Sequence, residues 1–446
     1  MKLRAEGKIM LLRFRVTNHR SIRDTVELSM TASNFSASQA SGGNWAAVTN
    51  RVAGIFGANA SGKTTILNAI NFAQRAVKNS AKWDDESPFP YHPFLLDDSS
   101  RNEPSAYEID FTADGIRYSY GFESNAAGVV SEWLHSFPSG RKRILFERDP
   151  SGSIEFGRNL RGENQRISRL VGKQGLFLSV AAGVGHKDLS PIWRSLGRGF
   201  NYIPFSDQRQ SIRIKSIRNW IEDDKVRRQA ESLLRFADLG ISRISAERTE
   251  MDPTQISIMR NIMTATFADE QPSFLTDDAE WQEMIDEQRK EIGFWHSTEN
   301  GAEYRLDISK ESAGTVSWLS LALPALRAIE SGGVFAVDEI DASLHPQLVA
   351  ALIELFKSDE FNQTGAQLLF ASHDTSLMGH LSGSALGQED VWFTEKGPSG
   401  ATDLYPLTDF PHKRDYNVER RYLSGRYGSV PQISWSEFRA ALEVGS

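Results

Sequence analysis

Eight consecutive residues, Gly57-Ala58-Asn59-Ala60-Ser61-Gly62-Lys63-Thr64, have the glycine spacing, lysine and hydroxyl of a phosphate-binding loop. Glycines at 57 and 62 let successive backbone N–H groups turn inward on an anion. A helix starting beside them would add its positive end. Lys63 would reach the β- and γ-phosphates of a nucleoside triphosphate, and the Thr64 hydroxyl would sit on Mg²⁺. Asn59, Ala60, Ser61 and Thr65 complete the expected nucleotide cradle. The bland alternative is a glycine-rich turn with a chance lysine. Context speaks against it: an apolar run, Val52 to Phe56, precedes the loop, and a helically spaced one, Thr65 to Phe72, follows.

A second cluster lies far downstream. Gly333-Val334-Phe335-Ala336-Val337 reads as a buried strand that ends in two carboxylates, Asp338 and Glu339. After a phosphate loop, the first acid of such a pair holds Mg²⁺ and the second polarises the attacking water. Asp338 is thus the expected metal residue beside Thr64, and Glu339 the expected catalytic group. Another apolar strand, Leu368 to Ser372, ends at His373-Asp374. A histidine at a strand tip is commonly a surface or structural residue. His373, following this strand, could instead hydrogen-bond the γ-phosphate and sense its presence.

These groups need a scaffold larger than one ordinary core, and 446 residues allow two or three substructures. The chain is 40% hydrophobic and 24% charged, the composition of a globular protein. No apolar run approaches the ~18 residues that span a bilayer, so no membrane role is expected. The first nine residues are polar, lack the apolar core of a signal peptide and read as a mobile tail; the expected location is the cytoplasm. Without cysteine there is no disulfide, thiolate metal site or thiol nucleophile. A net charge of −8 speaks against a broad basic coat for nucleic acid. The arginine-rich stretches 141–148 and 208–228 leave open either a local nucleic-acid track or a solvated helix face.

In chain order, Leu11 to Val16 alternates as an edge strand, Asn18 to Ile22 turns, and Val26 to Met30 returns. After the phosphate-loop helix, Tyr107 to Phe111 and Arg117 to Phe122 alternate around an Asp114-Gly115 turn. Strands at Val129–Leu134 and Ile144–Arg148 continue the pattern. The expected fold is an α/β P-loop head, a mixed sheet with an antiparallel β-subdomain, plus a helical lobe. Its expected parts are a tail (1–9), the first half of the head (10–159), a helical insertion (160–310) and the second half of the head (311–446). No run of clean heptads predicts a long coiled coil.

Asp338-Glu339 followed by Ile340-Asp341-Ala342-Ser343-Leu344-His345-Pro346 resembles the Walker B motif and D-loop of ABC-type ATPases. Ser372-His373-Asp374 is similar to their switch histidine, and Glu311-Ser312-Ala313-Gly314-Thr315 to a shortened signature motif. The resemblance implies that Ser312 and Gly314 bind the γ-phosphate of a nucleotide held by another protomer, so that the protein is at least a dimer. The simpler alternative is that Ser312 caps the helix that starts near Gly314. The signature departs from the family pattern, reading Ser-Ala-Gly-Thr rather than Ser-Gly-Gly-Gln. No Q-loop glutamine stands out, though Leu176 to Ala182 could occupy its place. The absence of an Asn-Lys-x-Asp motif favours ATP over GTP.

The start of the chain and the stretch Tyr416-Asn417-Val418-Glu419-Arg420-Arg421-Tyr422-Leu423-Ser424-Gly425-Arg426-Tyr427-Gly428 resemble one branch of that superfamily. The branch comprises abortive-infection ATPases related to OLD proteins, among them the ATPase subunit of the PARIS anti-phage system. It implies a separate effector protein, such as a Toprim-type nuclease, and a phage-encoded trigger. About seventy residues follow His373, too few for a fused catalytic domain. A RecF- or SMC-like DNA-maintenance ATPase is the alternative, and a transporter motor fits the N-terminal strands poorly.

Overall fold

The structure, a computed structural model, describes residues 9–31, 44–204, 210–248, 250, 252–266, 277–379, 386–411, 416–430 and 434–443. Within it the chain forms two units. The first holds Met1–Phe205, Arg327–Asp341 and His345–Ser446; the second holds Ser206–Leu326 and Ala342–Leu344. The expected tail at residues 1–8 lies outside the described residues, and Ile9 already belongs to the first strand.

The first unit is built on two sheets. Strands β1 (Ile9–Thr17), β2 (Val26–Ser29), β4 (Ser105–Ala113), β5 (Ile116–Asn125), β6 (Gly128–Phe137), β7 (Arg143–Arg148) and β8 (Ile154–Phe156) form an antiparallel sheet in the order β2-β1-β4-β5-β6-β7-β8. Alternating burial along β1 shows one face packed and the other exposed. Asp114 and Gly115 both have positive φ, as the two-residue turn between β4 and β5 requires.

The second sheet runs β16-β15-β3-β14-β13-β9, from strands β3 (Val52–Phe56), β9 (Phe200–Pro204), β13 (Val334–Asp338), β14 (Gln367–Ser372), β15 (Val391–Lys396) and β16 (Thr402–Pro406). All pairings are parallel except β15 with β16. Strands β3, β13 and β14 are buried at every residue, which is why they read as continuous apolar runs. Helix α1 (Lys63–Asn79) packs Ile66, Leu67, Ile70, Ala73 and Val77, spaced for one face, into the core shared by the two sheets. Helices α2 (Asn164–Ser168), α3 (Phe177–Gly183) and α4 (Leu189–Arg198) join the same core. The buried Glu132 carboxylate on β6 accepts the Phe177 N–H at 2.5 Å, the Leu178 N–H at 3.1 Å and the Tyr120 hydroxyl at 3.0 Å, fixing the start of α3.

The second unit differs from the expected helical lobe in extent and composition. It begins at Ser206 rather than near residue 160, because β9 joins the main sheet beside β13 and α2 to α4 fill the first core. Besides helices α5 (Gln210–Trp220), α6 (Asp224–Phe236), α7 (Pro253–Thr266) and α8 (Asp278–Arg289), it contains an antiparallel sheet. That sheet is β10 (Ile241–Arg248), β11 (Lys290–Ser297) and β12 (Glu303–Asp307). Ile217, Leu234, Ile244, Phe294, Leu319 and Leu323 make its core. Helix α9 (Ala313–Ser331) starts in this unit, and the division falls at Leu326. The chain then completes the first unit with α10 (Pro346–Lys357), α11 (Val418–Leu423) and α12 (Trp435–Glu443). Among the described residues no helix is long and apolar enough to cross a membrane.

Candidate nucleotide-binding site

Register decides what meets at the site. In the parallel pairs, Phe56 stands opposite Ser372, and Val337 opposite Phe370. The loop after β3, the acids ending β13 and the histidine after β14 therefore emerge together at the carboxyl ends of three adjacent strands, where open α/β sheets bind ligands.

Within the loop, Gly62 has φ +114°, and a Cβ there would run into the Thr402 side chain. A Cβ on Gly57 would stand 2.5 Å from the Thr394 carbonyl oxygen. Ala60 takes φ +61°, a conformation disfavoured outside glycine and kept here where the chain must turn tightly. In the first turn of α1 the Thr65 and Ile66 N–H groups donate to the Gly62 carbonyl at 2.9 and 3.2 Å, while those of Lys63 and Thr64 precede the first helical hydrogen bond and face an anion at the helix start.

Lys63 is 5% exposed, and its Nζ donates to the carbonyls of Gly57 at 2.7 Å and Ala58 at 3.0 Å. His373 Nδ1 lies 3.2 Å from the same Nζ. Burial lowers Lys63 to about 8 against the opposing pull of Asp338, Asp341 and Glu339. His373 is also lowered, by burial and then by Lys63.

Thr64 donates its hydroxyl to Asp338 Oδ1 at 3.1 Å. Burial raises the Asp338 carboxyl, and the neighbouring Glu339 charge adds to the effect. A hydroxyl and a carboxylate oxygen at this spacing make a hard, oxygen-only donor pair of the kind Mg²⁺ takes when nucleotide phosphates supply further ligands. The residues present fit that ion. Glu339 is exposed at the strand end with φ +53°, a backbone outlier for a non-glycine residue.

Further side-chain contacts hold these parts together, some from residues outside the motifs, Thr394 and Thr402. Asp341 accepts from the Ser372 hydroxyl at 2.8 Å and lies 3.4 Å from the His373 N–H, tying the segment after β13 to the histidine. Ser61 Oγ and Thr394 Oγ1 are 2.6 Å apart. Thr402 Oγ1 donates to the Ser61 carbonyl at 2.9 Å and lies 2.8 Å from Ser21 Oγ, which donates to Thr65 Oγ1 at 3.0 Å. The phosphate loop is thus braced from β15, β16 and the turn after β1. Asn59 is exposed in the loop, and Thr65 is half-buried in the first turn of α1.

Ser312 and Gly314 belong to the second unit. Ser312 Oγ accepts the Thr315 N–H at 3.1 Å, so it does cap α9, and the residue remains exposed. A Cβ on Gly314 would meet the Ser343 carbonyl oxygen at 3.1 Å. The stretch considered for a Q-loop, Leu176 to Ala182, is instead a core helix with Leu176, Phe177, Leu178 and Ala181 fully buried. In the arginine-rich stretches, Arg148 donates to the Gly175 carbonyl at 2.9 Å, Lys142 lies 3.4 Å from Glu147, and Arg227 lies 2.6 Å from Asp224. Those three cations are held by protein partners.

A P-loop head, with a mixed sheet and an antiparallel β-subdomain, is what this fold and site define. The chain matches, over residues 52–379, the family described as "AAA domain, putative AbiEii toxin, Type IV TA system", and it belongs to that family. No curated protein matches it. Among solved structures it is similar to the SMC head domain from Thermotoga maritima, at 13% identity and TM-score 0.39, covering 89% of this chain and 98% of that one. A similar match is an SMC head bound to the C-winged helix domain of ScpA, at 12% identity and TM-score 0.39, covering 92% and 99%. A third is an SMC head with an extended coiled coil bound to the C-terminal domain of ScpA from Pyrococcus furiosus, at 14% identity and TM-score 0.36, covering 94% and 99%.

Proposed function

We propose that this chain is a Mg²⁺-dependent ATPase that hydrolyses ATP at sites shared between protomers, and that its nucleotide state controls a separate effector in anti-phage defence. The meeting of Lys63, Thr64, Asp338 and His373 at three adjacent strand ends carries the catalytic part of this reading. Thr64 and Asp338 would hold Mg²⁺, which when bound neutralises charge developing on the transferred phosphoryl group. Lys63 would exchange its contacts to the Gly57 and Ala58 carbonyls for the β- and γ-phosphate oxygens, and Glu339 would orient the attacking water. His373 keeps its ring on Lys63 and offers its other nitrogen to the γ-phosphate. Ser312 and Gly314 contact the γ-phosphate of a nucleotide bound by a second copy. A capping serine can do this, because its helix end also presents free N–H groups.

The defence part rests on the words "putative AbiEii toxin, Type IV TA system" in the family's description and on the resemblance of the start and the 416–428 motif to abortive-infection ATPases. The effector would be another chain, with a Toprim-type nuclease one candidate and a phage product the trigger. The DNA-maintenance alternative has less support, since Lys142, Arg148 and Arg227 of the arginine-rich stretches are held by protein partners.

Two variants test the enzyme. Lys63→Ala should lose ATP binding. Glu339→Gln should bind ATP, turn over about 10²–10⁴-fold more slowly and accumulate as a closed assembly. Normal turnover by Glu339→Gln would remove that residue from its role. For the defence part, co-expression with the product of the neighbouring gene should arrest growth on phage infection only while Lys63 is intact. Arrest independent of Lys63, or none, contradicts it.

A further inference from the structure

The structure ties the segment Tyr416 to Gly428 to the two strands that brace the phosphate loop and to the turn that follows His373. On one side, Tyr405 of β16 donates its hydroxyl to the Tyr427 carbonyl at 2.8 Å and lies 2.8 Å from Ser429 Oγ. Phe393 of β15 stacks on Tyr422 and Tyr427 at centroid distances of 5.4 and 5.5 Å. These are the two strands whose Thr394 and Thr402 brace Ser61.

On the other side, Thr375 donates its hydroxyl to Glu419 Oε1 at 3.3 Å. Thr375 begins the short 3₁₀ turn Thr375–Met378 directly after His373-Asp374. Asp374 caps that turn, accepting the Ser376 N–H at 2.9 Å. The Glu419 carboxylate also lies against Gly379, in space that any side chain at 379 would fill. Helix α11 is itself held in place: Asn417 Oδ1 accepts the Arg420 N–H at 2.8 Å, and the Tyr422 hydroxyl donates to the Ser429 carbonyl at 2.9 Å.

We propose that Glu419 is a positioning residue for His373: accepting from the Thr375 hydroxyl and packed against Gly379, it fixes the turn that aims the histidine at the γ-phosphate. The proposal rests on the reading of His373 given above. Asp341 fixes the histidine from the side of β13, and Glu419 fixes the opposite end of the same short segment. A histidine held at both ends keeps one orientation through the reaction, and a shift of the order of 1 Å can cost about 10²-fold in rate.

The test uses the full-length protein and steady-state ATP hydrolysis, with ATP dissociation constants measured alongside. Thr375→Val, nearly isosteric, and Glu419→Ala should each lower kcat about tenfold and leave the dissociation constant unchanged. Glu419→Gln, which keeps an acceptor for Thr375, should retain most of the rate. His373→Ala, measured in parallel, should lose at least as much. If Thr375→Val and Glu419→Ala fold normally and keep full kcat while His373→Ala loses it, the positioning role is wrong and the site reading survives. Losses that appear in the dissociation constant rather than in kcat also overturn the positioning role. Full activity of His373→Ala overturns the site reading, and this inference with it.

Discussion

Lys63 Nζ and His373 Nδ1 lie 3.2 Å apart, and while Lys63 is protonated only one pattern on the histidine makes this a hydrogen bond. A lysine ammonium has donors alone, so Nδ1 must accept and the imidazole must be neutral with its proton on Nε2. The lowered pKa of His373 agrees with that pattern. The pair thus pre-orients an N–H donor beside the amine that is to hold the phosphates.

On the proposed function, the same lysine should make ATP affinity depend on pH. Lys63 titrates at about 8 in the free protein, and bound phosphates would hold it protonated well above that. Above pH 8, binding must therefore take up a proton, and affinity should fall up to about tenfold per pH unit. Calorimetric titration from pH 7 to 9.5, in two buffers of different ionisation enthalpy, reads both the affinity and the proton. A constant affinity with no proton uptake would contradict the assignment.

Thr402→Val removes the donor to the Ser61 carbonyl at nearly constant volume. The loop keeps its sequence motif but loses part of its brace, so the ATP dissociation constant should rise about five- to tenfold. Thr402→Ser should restore it. Unchanged ATP affinity in the valine variant would show that the brace has no part in binding.

Glu132→Ala should cost on the order of 3 kcal/mol, because it strands the buried N–H groups of Phe177 and Leu178 and the Tyr120 hydroxyl. Burial raises the Glu132 carboxyl to about 7 from an ordinary 4.5. Its folded-state pKa exceeds the unfolded one, so its proton-linked stability is complete below 4.5 and is lost as pH rises through 7. Urea melts between pH 5 and 8 should show wild type losing more stability than Glu132→Gln. Parallel curves would refute the linkage.

The nucleotide half of the site was legible because each part is a local pattern: glycines at fixed offsets, then two apolar strands that each end in the expected polar residue. Parallel register then brings Gly57, Asp338 and His373 together without further signal. Thr394 and Thr402 were not legible. They are ordinary strand threonines more than 300 residues from Ser61, and only the sheet brings them back to it. Ser21 was read only as part of a turn. The lobe boundary was misplaced for a related reason, since β9 is a short strand whose partner, β13, lies 130 residues downstream. Strands β10 to β12 went unread because charged residues interrupt their alternation, as in Glu303-Tyr304-Arg305-Leu306-Asp307.

Shared sites are the central claim, and mixing two inactive variants tests it most directly. Lys63→Ala lacks the phosphate-loop cation, and Ser312→Arg blocks the helix end proposed to complete a second copy's site. Each should be inactive alone while still folding and assembling. Combined, they should regain part of the wild-type ATPase rate, because one of the two sites in a mixed dimer is intact. No recovery from variants shown to mix, or constant activity per chain on dilution to a proven monomer, would contradict shared sites and leave Ser312 as a helix cap.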